Sequence, residues 1–588
     1  MKRLFPTILV LMSAPLLSKA VTYHVNFEER NQHYVAVTIE RTVKKNETAK
    51  FSMPVWTPGS YKIREFSQYV VDSKAEIDGQ TVALEQTDKN TWECTSPVKG
   101  MLRFTYRVFA FDLGVRTSYV DQYMAFLHGV SIFMYPEGLQ DEEILIDFGN
   151  NLPYKQIEVA LPTGASQNSF VAENYDLLAD SPFALGTFDT ISYQTGGVDH
   201  KIVMIGKGNY DLNTVRDDFK KITDAEAGMF KFDHPSDQYI HFIQNVESGG
   251  GGLEHLNCHT SQMDRWSYTD EARYKKFLGL VAHEYFHLWN VKRIRAKELG
   301  PFDYDKENYT TLLWVAEGIT SYFDDLILKR VGIHNEQEYL DVIAYNINRF
   351  ENTPGKSVMD LSTSSKLAWV KAYIPHDDSK NTSISYYNKG MLVAWMLDLT
   401  IIQKSDEKKK LDDVLNLLYE EYYLNKQRGF TYSEFVDACN EVAGTNLTSL
   451  FESWINTTNP LDYDGLTSKY GLVLENTSDK STADFGAETK YDNGKCVVTY
   501  VHPDGAALKA GLSVNDEIIS LNSRRLSGTV SLSSEFKPGD AVEIIYSRDG
   551  MIFNTTVVLT GNLEFNYTLK PNSDVTDLQG SLMRSWLD

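Results

Sequence analysis

His283-Glu284-Tyr285-Phe286-His287 is the stretch on which the reading of this chain turns. It follows the apolar run Phe277–Val281, and Thr269, with Asp270 and Glu271 after it, offers a cap and an acidic first turn. The spacing predicts a helix from about residue 270 to Trp289. Residues four apart stack on one helix face, so the two imidazoles can meet one zinc ion. Glu284 follows the first imidazole directly. It can reach a water at that ion without being a ligand, which suits a general base in hydrolysis.

Such a site needs a third protein ligand. The metzincin spacing requires Gly at 290 and His at 293, where this chain has Asn290 and Arg293, and that class is excluded. The gluzincin alternative takes a glutamate from a following helix. Glu317 fits it, a lone acid within the apolar stretch Leu313–Gly318. A buried carboxylate is costly without a cation beside it. Glu298 and Glu307 compete from polar, loop-like sequence. The rival group His255-Leu256-Asn257-Cys258-His259 holds sound zinc ligands but no fourth partner nearby. It reads as lying near the site or as structural.

Outward from the motif, helical patterns dominate residues 270–455, with further helices expected over Thr311–Arg330, from Tyr386 through Ile402, and over Lys408–Tyr423 and Ser433–Val442. Residues 22–190 are β-rich: His33–Val43 and Met101–Phe111 alternate, and turn signals such as Pro58-Gly59-Ser60 punctuate them. After a linker at Asn456–Asp464, short β segments return. Residues from 571 read as a polar tail with weak structural signal. Four cysteines, Cys94, Cys258, Cys439 and Cys496, are too few and too dispersed for a disulfide framework and are expected as buried thiols.

At the amino end, Lys2 and Arg3 precede the apolar Leu4–Leu17, and Ser18-Lys19-Ala20 offers small residues for cleavage. Residues 1–20 read as an export signal, too short for a membrane span, which implies a periplasmic or secreted protein. No later stretch is long and apolar enough to cross a bilayer. The 588 residues carry 57 Lys+Arg against 80 Asp+Glu, a formal charge of −23. That acidity argues against nucleic-acid binding by phosphate neutralisation. With 42% apolar and 23% charged residues, the chain is ordinary globular protein of several domains.

The quoted residues carry a family resemblance. His283–Arg295 followed by Trp314–Tyr322 resembles the glycyl aminopeptidases, family M61 of the gluzincin zinc metallopeptidases. Pro54–Phe66 is similar to that family's N-terminal domain signature, and Gly251-Gly252-Leu253-Glu254-His255 to its glycine-rich active-site strand. The resemblance implies zinc, one ion per chain, on His283, His287 and Glu317, with Glu284 as general base. It implies that Glu254, beside Gly252, holds the substrate's free amino group, although Leu253 and His255 stand where aminopeptidase N relatives have Met and Asn. Tyr387-Asn388-Lys389-Gly390 matches a motif whose tyrosine stabilises the oxyanion, and the adjacent Tyr386 is the other candidate. Gly505–Ile519 resembles the middle of a PDZ domain, and Tyr470-Gly471-Leu472-Val473 its carboxylate-binding loop.

The fold expected is multidomain α+β. It comprises an export signal (1–20), an N-terminal β-sandwich-like domain (21–190), a thermolysin-like, mainly helical zinc peptidase domain (191–460), a PDZ domain (466–565) and a tail (566–588). The activity expected is a zinc aminopeptidase removing Gly or Ala from peptides with a free N-terminus, with a peptide C-terminus as a further partner at the PDZ groove. A PDZ scaffold with a vestigial zinc site, and a zinc endopeptidase, are the alternatives.

Overall fold

The computed structural model describes residues 21–532 and 536–588. The export signal read from residues 1–20 lies outside them. The described chain divides into two compact units: residues 21–55 with 65–187, and Trp56–Arg64 with Phe188–Asp588.

The first unit is built of β-sheets. Its largest has seven strands, centred on Tyr34–Val43 paired antiparallel with Gly100–Phe109, Val37 opposite Tyr106 and Ile39 opposite Phe104. The alternation in sequence becomes alternation in burial: Val35, Val37 and Ile39 are inaccessible, and so are Leu102, Phe104 and Tyr106. A four-stranded sheet contributes Thr48–Ser52, whose Phe51 stacks on Phe104 at 4.3 Å between ring centres and joins the two sheets in one core.

The second unit opens with a five-stranded sheet. Val198–Ile205, Gln238–Val246 and Cys258–Asp264 run parallel, and the short strand Gly252–Glu254 pairs antiparallel at the edge. A parallel pair needs a long crossover, supplied here by the helix Leu212–Met229. The motif helix, Glu271–Phe286, buries Phe277, Leu278, Val281 and Ala282 in a core with Phe219, Ile243 and Ile327. Its cap is Asp270, whose side chain accepts from the Arg273 N–H, one residue later than Thr269. The helix expected over Thr311–Arg330 differs more. Trp314–Gly318 forms a π-helical turn, and the α-helix proper is Ile319–Arg330. Behind it the helix Tyr386–Lys404 is buried almost throughout.

The PDZ-like core gathers Phe485, Val498, Leu512, Ile518, Ile544 and Val557. Upstream of it, Tyr470 is buried and its hydroxyl donates to Leu399 O at 2.6 Å. Strand Leu472–Asn476 pairs with the chain's own Tyr567–Pro571, and the Asn572 N–H donates to Gly471 O. Tyr567–Pro571 is in turn held by Asn348, whose side-chain amide donates to Tyr567 O and accepts from Tyr567 N. The segment from 571 is no loose tail. Thr576 caps a helix, Asp577–Leu587, that inserts Trp586 completely into the interior; the helical spacing of Leu582, Met583, Trp586 and Leu587 behind the Thr576–Gln579 capping box is the signal that the reading as a polar tail overlooked. All four cysteines are buried and none forms a disulfide, as expected. Among the described residues no helix is long and apolar enough to cross a membrane.

Candidate metal centre

The motif places its imidazoles as the spacing requires. His283 Nε2 and His287 Nε2 lie 3.4 and 3.3 Å from the same oxygen, Oε2 of Glu317. These three ligand-type atoms all lie within 4.8 Å of one another, the one such group among the described residues. Each ring is oriented from behind: His283 Nδ1 is 3.0 Å from Asp324 Oδ2, and His287 Nδ1 is 2.9 Å from Asn290 O. A proton held on Nδ1 leaves the Nε2 lone pair facing inward. Glu317 is 2% exposed. Burial works to raise its carboxyl, and positive charge at the imidazoles lowers it; a cation in place of their Nε2 protons would supply that charge. Two inward lone pairs converging on one buried carboxylate are a donor set that fits a tetrahedral divalent cation with one open position.

Several local devices bring Glu317 there. Asn290, which removed the metzincin reading, is fully buried, and its amide donates to Val315 O, Ala316 O and Thr320 Oγ1, tying the π-helical turn to the end of the motif helix. Gly318 and Gly390 let two helices touch backbone to backbone: a Cβ on Gly318 would stand 2.5 Å from Gly390 Cα. That close approach sets Tyr387 beside the site, its ring 6.3 Å from that of His283. Tyr386 is 1% exposed and its hydroxyl lies 3.4 Å from that of Tyr373; Tyr387 also meets Tyr373 but is less deeply buried.

Glu284 lies on the same side as the ligands, 4% exposed. Burial pushes its carboxyl up to about 7, the neighbouring histidines opposing and Glu254 assisting. Gly252 admits it, since a Cβ there would stand 2.3 Å from Glu284 Oε1. Glu254 is also buried, with Oε1 lacking a hydrogen bond, as has Oε2 of Glu284. Two acids with unspent acceptors thus face one metal-type donor set, a constellation suited to moving a proton and holding a cationic group.

The competitors are elsewhere. Glu298 accepts from Thr310, and neither it nor Glu307 joins the donor group. In the 255–259 stretch, His259 Nε2 bonds His241 Nδ1 at 2.8 Å and Nδ1 bonds Ser261, which makes that histidine structural. Reading the sequence missed Asp324, Asn290, Tyr61 and Tyr373. Asp324 left a trace, standing two helical turns after Glu317, and Asn290 follows His287 by three residues, but Tyr61 and Tyr373 are brought in by packing alone.

Comparison with known proteins agrees with this geometry. The model of the M61 glycyl aminopeptidase family matches residues 276–393, that of the peptidase M61 N-terminal domain residues 22–187, and that of the PDZ domain residues 483–559. The PDZ match begins after Tyr470-Gly471-Leu472-Val473. A solved aminopeptidase N family protein from Idiomarina loihiensis is 28% identical, aligning over 97% of this chain and 100% of its own with a TM-score of 0.89. An M1 zinc metallopeptidase from Deinococcus radiodurans (12% identity, 76% and 95% covered, TM-score 0.45) is far more remote. So is leukotriene A4 hydrolase from Saccharomyces cerevisiae (14%, 77% and 70%, TM-score 0.47). No curated protein matches the chain significantly.

Proposed function

We propose, from the premise that the chain is a peptidase similar to the M61 glycyl aminopeptidases, that it is a zinc aminopeptidase releasing small first residues, Gly or Ala, from peptides. It would work outside the cytoplasm, in a periplasm or the medium, a reading supported by the signal-like residues 1–20. The observation that carries the reading is the convergence of His283, His287 and Glu317 on one point with Glu284 alongside.

His283, His287 and Glu317 would hold the zinc, which supplies Lewis acidity towards the scissile carbonyl and an attacking water. Glu284 takes the proton of that water and returns it to the leaving amine. A carboxyl pushed up to about 7 suits a group that must both accept and donate near neutral pH. The Tyr387 hydroxyl donates to the oxyanion as the carbonyl becomes tetrahedral, an interaction worth on the order of 3 kcal/mol at such positions. Glu254 accepts from the substrate's α-ammonium group, which selects a free N-terminus and fixes the distance from amine to scissile bond.

The test measures hydrolysis of Gly- and Ala-anilides and their N-acetylated counterparts, with bound metal determined before and after chelation. About one zinc per chain, activity lost on chelation and regained with zinc, and little turnover of acetylated substrates are expected. Full activity in metal-free protein sinks the proposal, and equal rates on acetylated substrates turn it into an endopeptidase.

A further inference from the structure

Trp56–Arg64 packs with the catalytic unit, although the residues on both sides of it in sequence belong to the β unit. Trp56 is fully buried, donates from Nε1 to Asp303 O at 2.7 Å and meets Trp369 edge-on at 5.1 Å. A tight turn follows, with the Ser60 N–H donating to Thr57 O. Gly59 sits in it at φ +81, a conformation that favours glycine. A Cβ there would stand 2.5 and 2.6 Å from the two carboxylate oxygens of Glu254, so the turn's backbone lies directly against that carboxylate. Tyr61, 2% exposed, is wedged edge-on between Trp369 at 5.6 Å and Tyr373 at 6.2 Å. Burial raises its phenol well above the ordinary value, and it lies near enough to Glu317 and Glu254 for their charges to raise it further. A cavity of about 20 Å³ is lined by Trp56, Pro58, Gly59, Tyr61 and Glu254 among others, room for about one water-sized group.

With its amine at Glu254 and its carbonyl at the His283–His287–Glu317 group, the first residue of a peptide spans the interval that Tyr61 faces from the side. We propose that Tyr61 is the specificity-determining residue of this peptidase: its ring closes the space for the first side chain, and the Thr57–Ser60 turn ends the groove behind the amine. A peptide with Gly or Ala first is accepted, one with Leu or Phe first collides with the ring, and a chain continuing past Glu254 meets the turn. The inference rests on Glu254 as the amine anchor.

The experiment compares kcat/KM for Gly-, Ala-, Leu- and Phe-anilides in the wild type, Tyr61→Ala, Tyr61→Leu and Tyr61→Phe, with melting temperature and zinc content measured alongside. Tyr61→Ala is expected to raise the Leu-to-Gly ratio at least tenfold, the scale on which a pocket discriminates by a methylene or more. Tyr61→Phe keeps the ring and leaves the ratio where it was. General damage to the fold lowers all four substrates together and does not move the ratio; if Tyr61→Ala does not fold, Tyr61→Leu decides by the same quantity. An unmoved ratio in a folded, zinc-loaded Tyr61→Ala or Tyr61→Leu overturns the inference, as does a shift in Tyr61→Phe equal to that in Tyr61→Ala. If the wild type cleaves acetylated substrates as fast as free ones, the amine-anchor reading itself has failed, a result distinct from an unmoved ratio.

Discussion

Two histidine clusters flank the motif helix, and they use the same side chain to opposite ends. On one face His283 and His287 point their Nε2 atoms at Glu317. On the other, the Tyr285 hydroxyl lies 2.9 Å from His200 Nε2 and 3.1 Å from His234 Nε2, and beyond it Tyr193, His241 and His259 form a hydrogen-bonded chain. In the first cluster the rear nitrogens rest on acceptors, the Asp324 carboxylate and the Asn290 carbonyl, and the front nitrogens converge. In the second, ring nitrogens are spent on phenols, backbone carbonyls and one another. Burial pushes His200 and His234 down to about 4 and His259 to about 3, so these rings stay neutral. Whether a buried histidine serves chemistry or packing is thus decided by what its two nitrogens face.

The largest effect that tests this contrast is Glu284→Gln, expected to retain zinc while losing about 10³-fold or more in kcat. Near-normal turnover in a zinc-loaded variant breaks the assignment of the catalytic face. Asp324→Ala comes next. Removing the acceptor behind His283 should weaken zinc affinity roughly 10- to 100-fold, read by competition with a chelator of known strength. Unchanged affinity there means the rear contact does not orient the ligand.

The opposite face should respond to acid instead. Unfolded histidine titrates near 6.5, whereas folded His200 and His234 titrate near 4. Above pH 6.5 neither state holds the proton. As pH falls from about 6.5 to about 4, the unfolded chain takes up protons that the folded chain refuses, so stability declines, by roughly 3 kcal/mol per residue over the full interval. Denaturation midpoints across that range should show a shallower slope in His234→Gln than in the wild type, and identical slopes count against the reading. The smallest effect is Tyr285→Phe, which removes the hydroxyl shared by His200 and His234. A cost of about 1–3 kcal/mol in stability is expected, with zinc content and kcat kept. Loss of zinc in that variant shows that the two faces are not independent.

The comparison also marks how much was legible in the chain. His283, Glu284 and His287 lie within one and a half helical turns, and local geometry alone places them. Glu317 was legible by its incongruity, an acid in an apolar helix, though not the π-helical turn that presents it. The strands of the β unit followed from alternation. The C-terminal helix was legible in the capping box Thr576–Gln579 and the spacing of Leu582, Met583, Trp586 and Leu587, but what its apolar face packs against was not. Tyr386 and Tyr387 were inseparable in sequence. Both meet Tyr373, but one residue of helical rotation buries the first more deeply and sets the ring of the second beside His283.

The sequence by itself determined the fold class, the paired imidazoles, the acid between them and the reach to a distant glutamate, because helix periodicity, apolar patterning and the cost of burying a lone charge are local properties. Only the tertiary structure decided what surrounds them: the Gly318–Gly390 contact that sets Tyr387 at the site, the rear acceptors that aim the imidazoles, and the Thr57–Tyr61 turn against Glu254. The glycine contact, the Asp324 acceptor and the turn join residues far apart in the chain, by close packing or by a hydrogen bond, whereas Asn290 stands only three residues after His287. Such contacts depend on how whole elements fit together, which adjacent residues do not encode.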